Sequence, residues 1–206
     1  MLRGMRLWFA IASLAACHRP PATSVPTPAT ETCDDVLGGR NDLLGADPLT
    51  VPAGSRLDHE LPLNRGWTRT ETGDVGPMTI PMPWGTMQAI PVTEPTSSAG
   101  VVFVRERSGV RCLLGSWSYA FGGNGVVLQA IYVEPAGAEA RTIRIEATAY
   151  YHHYYGACDV EDPPSDNVED CHAGMHYVGG HQAISAELRL DRRRVTVVRT
   201  DDGSGD

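Results

Sequence analysis

The chain has 206 residues, 42% of them hydrophobic, with 17 basic and 25 acidic side chains and a formal net charge of -8 near neutrality. Every basic residue is an arginine, and the absence of lysine excludes a P-loop lysine, a Schiff-base lysine and a Ser-Lys dyad, each of which needs a primary amine. The acidic balance argues against nucleic acid as a partner, because Arg192-Arg193-Arg194 is the one basic cluster and sits between two strand-like runs, where a solvated turn is expected.

In chain order, Arg3 and Arg6 precede the apolar run Leu7-Trp8-Phe9-Ala10-Ile11-Ala12-Ser13-Leu14, which is too short to span a bilayer as a stable helix. Leu14-Ala15-Ala16-Cys17 closes this segment. Positive charge, a short apolar core and small residues before a cysteine resemble the lipobox signal of a bacterial lipoprotein precursor, and the resemblance covers residues 1–17 only. It implies a signal peptide over 1–16, acylation of Cys17 and attachment to a membrane through lipid chains, with no transmembrane helix needed. His18 stands where an inner-membrane-retaining Asp would be, which implies the outer membrane of a Gram-negative cell envelope. Removing residues 1–16 deletes two arginines and takes the formal charge from -8 to -10. An ordinary secretory signal in which Cys17 is incidental is the other reading, and it also places the body outside the cytoplasm.

Residues 17–32 are rich in proline and small polar side chains and lack apolar periodicity, which predicts a tether extending about 3 Å per residue. Residues 33–200 are long enough for a single domain with its own core, and 201–206 are expected to fray. Four cysteines remain in this body: Cys33, Cys112, Cys158 and Cys171. In an oxidising compartment they imply two disulfides. Three pairings exist, and the short polar segment between Cys158 and Cys171 favours that pair together with Cys33 and Cys112.

Cys33 to Leu44 is the one short helix candidate. From Asp47 to Pro95 the Pro- and Gly-rich composition predicts only short strands, around Met78 to Pro81 and Met87 to Val92. Beyond it, strands are predicted over Val101–Glu106, Val110–Phe121 and Val126–Glu134, separated by Ser108-Gly109 and Gly122-Gly123-Asn124-Gly125, compositions that supply positive-φ turn positions. Pro135-Ala136-Gly137-Ala138 is a third such turn. Period-two alternation is clearest at Arg141–Tyr150, where Ile143, Ile145, Ala147 and Ala149 share one face. It recurs at Ile184, Ala186, Leu188 and Leu190, with Ser185, Glu187 and Arg189 outward, and more weakly from Arg194 to Thr200. Trp117, Tyr119 and Phe121 are expected to pack against a facing sheet. The fold class is therefore mostly β, an antiparallel sandwich or meander with a long disulfide-braced loop.

That loop, between a strand ending near Tyr151 and one starting near Ala183, holds five of the seven histidines: His152, His153, His172, His176 and His181. It also carries Asp159, Glu161, Asp162, Asp166, Glu169 and Asp170. As hard oxygen donors Asp159, Glu161, Asp162, Asp166 and Asp170 fit calcium, whereas His172, His176 and His181 or His152 fit zinc. No His-Glu-x-x-His or EF-hand pattern is present, and a solvated acidic loop accounts for the composition as well. Tyr154 and Tyr155, in the same segment, are candidates for stacking on a glycan or an envelope protein. Gly115-Ser116-Trp117-Ser118 lacks the second glycine of a nucleophile elbow, so no catalytic residue is assigned. The function expected from sequence is a lipid-anchored envelope β domain acting as a binding or structural module. A calcium- or zinc-binding protein or metal-dependent hydrolase using 152–181 is the alternative.

Overall fold

A computed structural model describes residues 32–37, 39–44, 47–70, 75–94, 97–121, 125–157, 169–172 and 175–203, and within these the side chains of all but 39–44, 152–157, 169–172 and 175–178. Eleven strands are formed and no helix is present among the described residues. They are β1 (Gly39–Leu44), β2 (Thr68–Arg69), β3 (Met78–Met82), β4 (Gly85–Glu94), β5 (Ser98–Arg107), β6 (Val110–Ala120), β7 (Val126–Pro135), β8 (Arg141–Ala157), β9 (Glu169–His172), β10 (Met175–Leu190) and β11 (Val195–Asp201).

The first sheet runs β1-β6-β5-β4-β2, with β3 also paired to β4; the second runs β11-β10-β8-β7, with β9 also on β10. Within each sheet the long consecutive strands form the expected meander. The β5–β6 link is the two-residue turn Ser108-Gly109, with φ of 50° and 77° at its two positions, the pattern whose twist matches a hairpin. Gly137, at φ 112°, supplies the corresponding freedom in the β7–β8 turn, where the Ala136 amide donates to the Ala140 carbonyl.

The two sheets meet face to face. Met87, Phe103, Leu114 and Trp117 of the first share one buried cluster with Ile131, Ile143, Ile145, Ile184 and Leu188 of the second. The alternating residues Ile143, Ile145, Ala147, Ala149, Ile184, Ala186, Leu188 and Leu190 are all buried, as their period requires. Trp117 and Tyr119 are buried with them and Phe121 packs against the cluster. Trp84, in the β3–β4 turn, donates its indole N–H to the Glu139 carbonyl in the β7–β8 turn at 3.0 Å, tying the sheets at one end.

The first sheet is covered on its other face as well. Leu49, Leu57, Leu61 and Trp67, from the segment ahead of β2, form a second cluster with Ile90, Val92, Val102, Val104 and Leu113. The same segment caps the lower edge of β6: the Gly54 amide donates to the Leu113 carbonyl, the Leu113 amide to Ser55, and the Leu57 amide to Arg111. Edge amides that would otherwise be left open are thereby paired.

Three expectations are corrected. Cys33–Leu44 is not helical: residues 33–36 form a turn closed by the Val36 amide on the Cys33 carbonyl, and Gly39–Leu44 is β1, parallel to β6 from Gly39↔Gly115 to Leu44↔Tyr119. Pairing the upper edge of β6 outweighs the weak helical preference of a segment containing Gly38 and Gly39. The strand predicted at Met87 to Val92 extends over ten residues as β4. The interruption between Tyr151 and Ala183 is much shorter than composition implied, because β8 and β10 pair from Arg141↔Leu190 to Ala157↔Met175, with one register shift between Met175 and His176. Gly179 and Gly180, which read as breakers, lie within β10, and Tyr151 occupies the space beside Gly180.

Candidate binding face

The cysteines divide. Cys33 and Cys112 form a disulfide, as expected, joining the start of the domain to β6. Cys17 and Cys158 lie outside the described residues, and for Cys171 only the backbone, in β9, is described. Beside the disulfide, Arg105 is buried to 1% exposure at the end of the inter-sheet core. Its guanidinium forks onto Asp35, with Nη2 to Oδ1 at 2.9 Å and Nη1 to Oδ2 at 3.2 Å, and also donates to the Thr32 and Arg192 carbonyls. Arg192 Nε reaches the same carboxylate at 3.2 Å. The Arg105 hydrogen bonds, with the charges of Arg105 and Arg192, hold the Asp35 carboxyl below its ordinary range despite desolvation. This node closes one end of the sandwich. The rest of the arginine cluster, Arg193 and Arg194, is exposed, and their amides bond the Asp191 carboxylate, a solvated turn as predicted.

The proposed metal ligands are not brought together among the described residues. Asp159, Asp162 and Asp166, with Glu161, lie outside them. His172 and His176 fall on β9 and β10, where His172 pairs with Met175 and His176 with Cys171, and their side chains are outside the description. His181 is exposed on β10 opposite Tyr150. No group of three His, Cys, Asp or Glu suited to a metal ion occurs among the described residues.

What the tertiary structure does assemble is a surface. Because both faces of the first sheet are covered, the outer face of the second is the uncovered sheet face among the described residues. Of the five large hydrophobic side chains that are exposed among the described residues, four lie on this sheet: Val127, Tyr132, Tyr150 and Val198. The rows across the face follow from the register. Tyr132 pairs with Arg144 and Arg144 with Glu187, while Glu146 pairs with Ser185 and Ser185 with Asp201.

The Arg144 guanidinium sits over the Tyr132 ring at 4.6 Å, a cation–π contact, and its Nε lies 3.4 Å from Glu146. The Tyr132 hydroxyl donates to the other Glu146 oxygen at 3.5 Å. Next to this cluster is an open cleft of about 410 Å³ bordered by Gln129, Glu146, Thr148, Ser185, Asp201 and Gly203. Gln129 reaches it because it is the extra residue of a bulge, between the pairs Leu128↔Ala147 and Ala130↔Glu146. Asp201 is oriented by the Gly203 amide, which donates to Oδ1 at 3.1 Å. Gly203 has φ 68°, the conformation that makes this short turn possible. A larger opening of about 820 Å³ lies at the β2 edge of the first sheet, between His59, Glu60, Arg69 and Thr93, and has no Tyr or Trp in its lining.

No protein-family model, curated protein or solved structure matches this chain.

Sequence reasoning placed exposed aromatics at Tyr154 and Tyr155, in the continuation of β8, and missed Tyr132, Arg144 and Gln129. A signal for the first two was present: Tyr132 and Arg144 stand at the outward positions of alternating strands. The bulge at Gln129 is invisible to a strict period of two.

Proposed function

We propose that the chain is a lipid-anchored protein of the cell envelope, held through Cys17 and a Pro-rich tether, whose β domain is a binding module working through the outer face of its second sheet. The anchor rests on the lipobox resemblance of residues 1–17. One observation carries the binding reading: a sheet face that no other described segment covers, beside one that is covered, bearing four of the five exposed large hydrophobics among the described residues and an open cleft lined by both polar and apolar groups.

The anchor is tested by expressing the full chain in a Gram-negative host, separating membranes and determining the mass of the N-terminal peptide. Acylated Cys17 in the outer-membrane fraction is expected, and Cys17→Ser moves the protein to the soluble envelope fraction; an unmodified Cys17 removes the anchor. The face is tested in the same cells with a photo-crosslinking residue at Thr148 or, as control, at Asp58 on the cover segment. Discrete adducts from position 148 alone support the face, and equal or absent adducts at both positions overturn it.

A further inference from the structure

We infer that the ligand of this face is a neutral glycan, laid along β8 between Tyr132 and Tyr150 with its hydroxyl groups in the cleft. The inference rests on the reading of the face as a binding surface and adds the ligand class.

Charge comes first. The cleft presents two carboxylates, Glu146 and Asp201, and none of the described side chains lining it is basic. A phosphate or uronate entering it would meet the carboxylates of Glu146 and Asp201, the first of them with Arg144 beside it at 3.4 Å, and the net charge of -8 adds to the bias against anions. The donor and acceptor set then narrows the class. Glu146 and Asp201 accept only, the Gln129 amide donates and accepts, and the Thr148 and Ser185 hydroxyls do both. Such a set satisfies vicinal hydroxyl groups, each of which offers one O–H and takes another.

The aromatic residues supply the apolar half. Tyr132 is 42% exposed and Tyr150 is 40% exposed, and both stand at outward positions of the same sheet. Arg144, the partner of Tyr132 across the strand pair, is six residues from Tyr150 along β8, so the rings are about 20 Å apart at strand rise. The cleft lies between them, since its Glu146 and Thr148 occupy the intervening outward positions. A ring at each end and hydroxyl-binding groups between suit an oligosaccharide, whose pyranose rings have C–H faces for stacking and polar rims. They do not suit a single sugar. Strands and a bulge hold these groups, and Arg144 fixes the Tyr132 ring, so little ordering remains to be done on binding.

The test is titration calorimetry on the full chain in a detergent without a sugar headgroup, such as lauryldimethylamine oxide. The probes are cellohexaose and chitohexaose, their trisaccharides, and polygalacturonate as the anionic comparator. At least one hexasaccharide is expected to bind, with its trisaccharide and the variants Tyr132→Ala and Tyr150→Ala each weaker by about tenfold, the loss of roughly one stacking contact. Thr148→Arg is expected to abolish binding and Asp58→Arg to leave it unchanged. Silence with both hexasaccharides, polygalacturonate binding as tightly, or indifference to both tyrosine changes overturns the inference. If the hexasaccharides are silent while the crosslinker at position 148 still forms a discrete protein adduct, the ligand class is wrong and the binding face stands. If both are silent, both readings fall.

Discussion

Tyr151 of β8 lies across Gly180 of β10, its register partner, and its ring and hydroxyl occupy the place where a β-carbon at position 180 would sit. The same ring lies 6.3 Å from that of Phe121, so it joins the end of the core to the extended β8–β10 pair. Gly180→Ala should therefore displace Tyr151 and cost about 1–3 kcal/mol, as overpacking does. Gly180→Ala combined with Tyr151→Ala should cost less than the sum of the single changes, measured by urea unfolding. Strict additivity would show that the two residues do not compete for space.

The Gly109 position makes a different kind of demand. Nothing lies within 4 Å of a β-carbon built there, but φ is 77°, so Gly109→Ala is expected to cost about 1–2 kcal/mol through backbone strain alone. Ser108, at φ 50°, already bears such strain, and Ser108→Asn should be at least as stable as the wild type because Asn tolerates this region. Thermal unfolding of both variants checks the pair of expectations; a neutral Gly109→Ala would remove the turn assignment.

Asp35→Asn removes the carboxylate facing Arg105, which is 1% exposed, and takes its anion away from a buried cation that the Thr32 and Arg192 carbonyls also contact. A loss of about 3 kcal/mol at neutral pH is expected. The Asp35 carboxyl is held below its ordinary value, so its contribution is full above the unfolded-state pKa of about 3.9 and is lost as pH falls through the lower folded-state value. Wild type and Asp35→Asn should accordingly converge in stability below about pH 4. A gap that persists unchanged into strong acid would detach Asp35 from this role.

Cys33 and Cys112 are separated by 79 residues, and closing such a loop stabilises by about 4.5 kcal/mol on the chain-entropy account. The double change to alanine should lower the urea midpoint by a corresponding amount. Because Asp35 and the Thr32 carbonyl are held by Arg105 nearby, the N-terminal turn should stay docked at low urea, which amide hydrogen exchange at Val36 reads directly. Rapid exchange there would mean that the disulfide alone holds the turn.

The β class, the alternating faces of β8 and β10 and the Ser108-Gly109 turn were legible because each depends on neighbours within a few residues. A period of two and a positive φ are local properties, and so is the solvated turn at Arg192–Arg194. The favoured Cys33–Cys112 pairing was legible only by elimination. The false helix at Cys33–Leu44 and the overlong loop after Tyr151 both arose where a partner distant in sequence decided the outcome. β1 is a strand because β6 has an edge to pair, and Gly180 stays in a strand because a tyrosine twenty-nine positions earlier fills its space.

The composition and the first seventeen residues by themselves determined the lipoprotein expectation, the absence of lysine chemistry and the acidic character, since these need no folding. The tertiary structure alone decided which sheet face stays open among the described residues. Alternation marks two faces on every strand and does not say whether the outward one will be covered. Here the segment containing Leu49, Leu57, Leu61 and Trp67 folds over the first sheet and buries it twice, while the second keeps Tyr132, Glu146 and Tyr150 in water. Burying apolar area is non-directional and is settled by what the rest of the chain brings within reach.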